Sequence, residues 1–246
     1  MRAFAIYVLL SFFATPLTHA SPDIETPWED RPSLSNVSEM RQKIKKKFSN
    51  LPIGARSYSR EQILEKYDHL DPMNLVPNDL LENAVLYFDQ HKEAFENRDY
   101  ISVVNYSQVS NEPRFYVIDL LTGEVWAIRT AHGKGGDRNH DGFVESVGNV
   151  SGSKKSSKGF FQVSEIYSGK FGRSVRLDGL SDTNSRVRAR AIVIHGSDYV
   201  KETDKKQSRS WGCFALAWSV KDELVTLLHG GSLLYADYSS PKDVDL

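Results

Sequence analysis

The sequence predicts an α+β fold, mainly β with a few helices, preceded by a short α-helical N-terminal region. Three observations carry this. Apolar residues recur at helical spacing as far as Phe95. After Tyr100 the texture changes to short, β-rich segments separated by Gly-, Ser- and Lys-rich loops. A last helical segment follows the chain's one cysteine, Cys213, and stops at Gly230-Gly231.

Taken in order, residues 1–20 have the layout of an export signal. Arg2 supplies the positive start, Ala3 to Phe13 the apolar stretch, and Thr18-His19-Ala20 a small-residue cleavage site. The apolar stretch is shorter than the roughly 20 residues a membrane span needs, so cleavage is expected rather than stable membrane insertion. No cysteine follows the cleavage site to carry a lipid anchor. Residues 21–99 are expected to form a leader and helical region. Ser21 to Pro32 is polar and proline-containing, and Val37, Met40, Ile44 and Phe48 mark a basic amphipathic helix. Arg60 to Tyr67 suggests a short helix. A longer one follows, with Asn78-Asp79 as its cap and Leu80, Leu81, Ala84, Val85, Leu86 and Phe88 at helical spacing.

Residues 100–240 are expected to form the main, β-rich domain. Arg114 to Asp119 and Glu124 to Ala131 flank Leu121-Thr122-Gly123 and read as a hairpin. Gly159 to Ser164, Ser174 to Leu177 and Arg190 to His195 are further strands. Trp218 to His229 is the closing helix, and Leu233 to Tyr238 the last strand. Phe160, Phe161, Phe171 and Trp218 are assigned to the core, and Ser151 to Lys158 to a solvated connector.

With 31 basic and 32 acidic residues the net charge is near zero, so no global field argues for nucleic acid. An exported chain meets an oxidising compartment, where cysteines usually pair, yet Cys213 has no partner in its own chain. Beside it stand Arg209-Ser210-Trp211-Gly212, and His195 closes an apolar, β-branched run upstream. A free thiol titrates near about 8.5 and needs help to ionise at neutral pH. An imidazole at a strand end is a placed base for it, able to protonate a departing amine and deprotonate an incoming one. Gly212 permits a tight turn, so that the N–H groups of Gly212 and Cys213 can face an oxyanion. The alternatives for Cys213 are a buried small hydrophobe or an intermolecular disulfide.

The loop from Asp137 to Glu145 resembles the start of a calcium loop, with Asp137, Asn139, Asp141 and Glu145 as weak candidates. It lacks the carboxylate an EF-hand needs at its twelfth position, where Gly148 stands, and a polar turn is the expected reading. No zinc spacing is present, and no cofactor is expected.

The run Ala189-Arg190-Ala191-Ile192-Val193-Ile194-His195-Gly196, then Ser208-Arg209-Ser210-Trp211-Gly212-Cys213, resembles the bacterial L,D-transpeptidase (YkuD-like) family, in particular its murein transpeptidase-like branch. Phe115 to Leu120, Ala131-His132-Gly133-Lys134-Gly135, Ser156 to Phe160 and Arg176 to Leu180 are similar to that branch as well, so the likeness spans roughly residues 100 to 238. The resemblance implies an enzyme of peptidoglycan stem peptides in the periplasm or cell envelope. Its cysteine attacks the third residue of a tetrapeptide stem, expels D-alanine, and passes the acyl group to an amine, on another stem or on a wall-attached protein, or to water. Carried over, Cys213 is the nucleophile, His195 the base, and Ser210 and Gly212 belong to the catalytic turn. Arg209, Gly196, Trp211 and His132 become the substrate-binding candidates. Trp211 and Ala215 stand where many members carry a histidine and an arginine or asparagine. The competing readings are an L,D-carboxypeptidase and a non-catalytic wall-binding protein.

Overall fold

The computed structural model describes residues 58–240, so the expected signal, the leader and the basic helix near residues 35–48 lie outside the described residues. The described chain contains helices α1 (Arg60–Lys66), α2 (Asn78–His91) and α3 (Trp218–Leu228). Its strands are β1 (Tyr100–Asn105), β2 (Phe115–Asp119), β3 (Val125–Ile128), β4 (Gly159–Gly169), β5 (Gly172–Gly179), β6 (Val193–Gly196), β7 (Phe214–Leu216) and β8 (Ser232–Asp237). The strands form an eight-stranded sheet in the order β3-β2-β1-β8-β4-β5-β6-β7. Pairing is antiparallel except between β1 and β8 and between β6 and β7.

β1, β2 and most of β8 are buried on both faces, and their alternation assigns each face its partner. Ile101, Val103, Tyr116, Ile118, Leu233 and Tyr235 join one hydrophobic cluster with Ile63, Leu80, Ala84, Val85 and Phe88 of α1 and α2. The helices of the expected N-terminal region therefore share the core of the sheet. Ser59 caps α1 through a reciprocal pair with Gln62. Pro77, rather than Asn78, occupies the cap position of α2, where its missing N–H costs nothing. The Asp79 carboxylate instead accepts the backbone N–H of Ser240 at 2.6 Å.

Alternate residues such as Phe115, Phe161 and Phe214 are buried in edge-to-face contacts. Leu224, Val225 and Leu228 of α3 are buried too, and the helix packs against β1, β5 and β6. Trp218, expected in the core, stands at the first turn of α3 with 42% of its surface exposed, its indole N–H bonded to Asp198. The β4–β5 hairpin runs longer than its sequence pattern suggests because Gly169 and Gly172 close it late; a register shift between Val163 and Ile166 interrupts the pairing. Among the described residues no helix is long and apolar enough to cross a membrane.

Candidate active site

The parallel ladder of β6 and β7 sets His195 opposite Ala215 and Ile194 opposite Phe214. Extended back one residue, that register sets Cys213 beside Val193. Side chains at 193, 195 and 215 share one face, while Ile194 and Phe214 point into the core. Cys213, one residue ahead of β7, thus stands beside the strand that carries His195, although the chain between them crosses a long loop.

The turn before Cys213 is built by Ser210. Its buried Oγ accepts the Gly212 N–H at 3.0 Å and donates to the Cys213 carbonyl at 2.7 Å. Gly212 has φ +122°, and a Cβ there would come within 2.7 Å of the Lys155 carbonyl and 2.8 Å of Ile192 Cδ1. Only glycine fits this backbone at this distance. The expectation that the Gly212 N–H faces an oxyanion is corrected, since Ser210 already holds that N–H. The segment around Ala131 supports the turn from behind. Ala131 N–H donates to Ala215 O, Ser210 N–H to His132 O and Lys134 N–H to Ser210 O. The Ser156 hydroxyl accepts the Gly133 N–H at 3.0 Å.

The Cys213 thiol is half-buried, and its Sγ donates to the Ala191 carbonyl at 3.7 Å. Burial holds the thiol above its ordinary pKa, against the Val193 N–H and the Arg190 guanidinium, which both favour the thiolate. Burial also holds His195 below the ordinary imidazole value. Its Nδ1–H donates to the Gly196 carbonyl at 2.8 Å, which fixes the tautomer and leaves Nε2 with a lone pair. Phe171, at the tip of the β4–β5 hairpin, stacks on the imidazole with centroids 4.1 Å apart. Burial thus disfavours the charged form of both groups, the thiolate of Cys213 and the imidazolium of His195.

The substrate-binding candidates divide. Trp211 is 68% exposed and flanks a cleft of about 200 Å³ lined also by Gly152, Lys154, Arg190 and Ile192. His132 does not line that cleft; it is 1% exposed. Its Nδ1 accepts from Arg114 Nη2 at 2.6 Å and its Nε2–H donates to Asp137 at 3.0 Å. Burial and the Arg114 charge push its pKa down to about 4, so it bridges the buried cation and carboxylate as a neutral ring. Arg209 reaches back to the Asp137 carbonyl. Gly196 is explained by Trp218, whose indole occupies the space a Cβ would need.

The Asp137 carboxylate accepts the N–H groups of Asp141 and Gly142, and Asp141 accepts that of Phe143, as in a polar turn. Asn139 donates to Asp141, and Glu145 closes the loop through its backbone N–H to Gly136 O. Among the described residues no three His, Cys, Asp or Glu side chains gather as metal ligands.

The residue that sequence reasoning passed over is Arg190. Its guanidinium donates to the Gly148 carbonyl at 2.7 Å, Ser157 Oγ at 2.6 Å and the Lys155 carbonyl at 2.6 Å, which parks a cation beside Cys213. Its local pattern read as the start of a strand, but β6 begins only at Val193.

A family model described as an L,D-transpeptidase catalytic domain matches residues 73–237. Similar solved structures include an L,D-transpeptidase from Mycobacterium smegmatis, at 12% identity over 56% of this chain and 58% of that one, with a TM-score of 0.35. Pgp2, a helical cell shape determining protein from Campylobacter jejuni, matches at 12% identity over 60% of this chain and 50% of that one, TM-score 0.38. Bdellovibrio bacteriovorus Bd1075 matches at 17% identity over 58% of this chain and 48% of that one, TM-score 0.35. The matches span less than two thirds of the length of each of these three structures. Comparison with curated proteins gives no match. The family match covers most of the chain and takes in the turn that carries Cys213 as well as the strand that carries His195: the chain belongs to the L,D-transpeptidase catalytic domain family.

Proposed function

We propose that the protein is an exported peptidoglycan L,D-transpeptidase of the periplasm or cell envelope, with Cys213 as nucleophile and His195 as base. One arrangement carries the reading: a thiol on a turn tied by Ser210, beside a strand whose histidine has Nδ1 committed to a carbonyl and Nε2 uncommitted. Pairing a nucleophile with an oriented base is the logic of covalent acyl transfer.

In this reading Sγ attacks the carbonyl of the third residue of a tetrapeptide stem while Nε2 of His195 takes the thiol proton. Burial disfavours the charged form of each group, so the proton moves as the C–S bond forms. The Cys213 N–H remains to meet the oxyanion, a contact that can lower a barrier by about 3 kcal/mol. The intermediate collapses, His195 returns its proton to the departing D-alanine amine, and a thioester on Cys213 is left. An amine, on a second stem or a wall-attached protein, then attacks with His195 again as base and releases free Cys213. Water in place of the amine gives the L,D-carboxypeptidase product.

Intact-protein mass spectrometry of wild type mixed with a tetrapeptide stem tests the acyl-enzyme. The expected adduct equals the stem minus D-alanine, is absent in Cys213→Ala, and disappears when an amine acceptor is added. Failure of wild type to gain any adduct would favour a non-catalytic wall-binding protein.

A further inference from the structure

The arginines around the sheet are mostly neutralised: Arg188 and Arg176 pair with Glu165, Arg173 with Asp222 and Arg129 with Glu202. The rim of the cleft beside Cys213 is different. Lys154 Nζ lies 4.8 Å and Lys134 Nζ 5.5 Å from the centre of the exposed Trp211 ring, and Arg190 lines the wall behind them. Among the described residues none of these three cations forms an ion pair with a carboxylate. Cations gathered without counter-charge over an apolar floor repel one another and gain when an anion enters.

The cleft is held in place. Lys154 sits at φ +56°, a conformation uncommon for a lysine, and its carbonyl accepts the Gly135 N–H at 2.9 Å. Arg190 is anchored to the Lys155 carbonyl, and the Gly212 turn passes within contact of both Lys155 and Ile192. The loop expected to be a solvated connector is therefore a fixed wall. It bears its charges next to the nucleophile.

We propose that Lys134 and Lys154, arrayed on Trp211 with Arg190 behind them, form an anion subsite that holds a free carboxylate of the stem peptide while the reacting carbonyl lies at Cys213. This rests on the stem-peptide reading above. Two of the stem's free carboxylates flank the reacting carbonyl: that of the terminal D-alanine, and that on the side chain of a diacidic third residue. The lysines are the ligands; Arg190, whose guanidinium donors are engaged, supplies field. The apolar face of Trp211 covers the contact on one side.

The test is calorimetric binding of four tetrapeptides to the full chain carrying Cys213→Ala: the free acid, each monoamide and the diamide. Each is repeated with Lys154→Gln and Lys134→Gln added. Both variants should weaken the free acid about fivefold or more, the size of a favourable charge contact, and leave one of the two monoamides unchanged. That monoamide identifies the source. In separate turnover assays on chains retaining Cys213, the same substitutions should raise KM with kcat nearly constant. Equal binding of free acid and diamide to the parent, equal weakening of all four peptides by Lys→Gln, or no detectable binding overturns the subsite. So does loss of binding only with Trp211→Ala, which would mark an uncharged stacking surface such as one for glycan. If the chain binds the free acid in this lysine-dependent way yet turns over no stem, the subsite stands and the catalytic reading falls.

Discussion

Removing the Ser210 hydroxyl is the sharpest single perturbation of the nucleophile turn. That oxygen accepts from Gly212 at 3.0 Å and donates to the Cys213 carbonyl at 2.7 Å, in a residue only 3% exposed. Ser210→Ala leaves a buried N–H and a carbonyl unpaired at about 1–3 kcal/mol each, so a total loss of about 3 kcal/mol is expected. For a chain of this size that lowers Tm by about 6–12 °C. The same change frees the backbone of Cys213, and a nucleophile displaced by about 1 Å can lose about a hundredfold in rate. Thermal melts and acylation rates, measured on the same preparation well below the variant's Tm, separate the two effects. A Ser210→Ala protein melting within about 1 °C of wild type, with unchanged acylation, would refute the assignment of the turn to Ser210.

Three further outcomes follow from the geometry. Burial lowers the pKa of His132 and His195, so the unfolded chain binds more protons than the folded one below the ordinary imidazole value. Stability should be fully present above pH about 6.5 and fall with acid toward the lowered values, by up to about 1.4 kcal/mol per pH unit for each group; a Tm flat between pH 7.5 and 5 contradicts this. Phe171→Ala uncovers His195 and should move the acid limb of the rate profile upward, toward higher pH, because a better-solvated imidazole protonates more readily; an unmoved limb would remove Phe171 from the site. Gly196→Ala drives a methyl into the Trp218 ring and should cost about 1–3 kcal/mol by overpacking, with Trp218→Ala recovering much of it in denaturant melts. Equal losses in the single and double variants would show that the ring is not the obstacle.

What could be read in the sequence was whatever short-range pattern decides. The helical spacing of Leu80 to Phe88, the turn residues at Leu121-Thr122-Gly123 and the β-branched run ending at His195 each state their own structure. Cys213 and His195 were accessible as two motif residues, but the parallel register that brings the Cys213 turn alongside β6 arises from β7, a three-residue strand too short to announce itself. Partners distant in sequence were out of reach. His132 looked free because nothing nearby indicates that Arg114 will meet it in the interior. Arg190 looked like the start of a strand because its acceptors lie at Gly148, Lys155 and Ser157. The part played by Ser210 was open to local reading: a serine two residues before a glycine can fold its hydroxyl onto that glycine's N–H, as Ser210 does.

Whether Cys213 makes and passes on an acyl group is read out by mass spectrometry of tetrapeptide muropeptides incubated with the protein, in parallel with Cys213→Ala. Crosslinked or amine-exchanged products that require Cys213, with stoichiometric D-alanine, are expected. Tripeptide as the sole product would move the protein to the carboxypeptidase reaction, and muropeptides unchanged by either chain would rule out acyl transfer by Cys213.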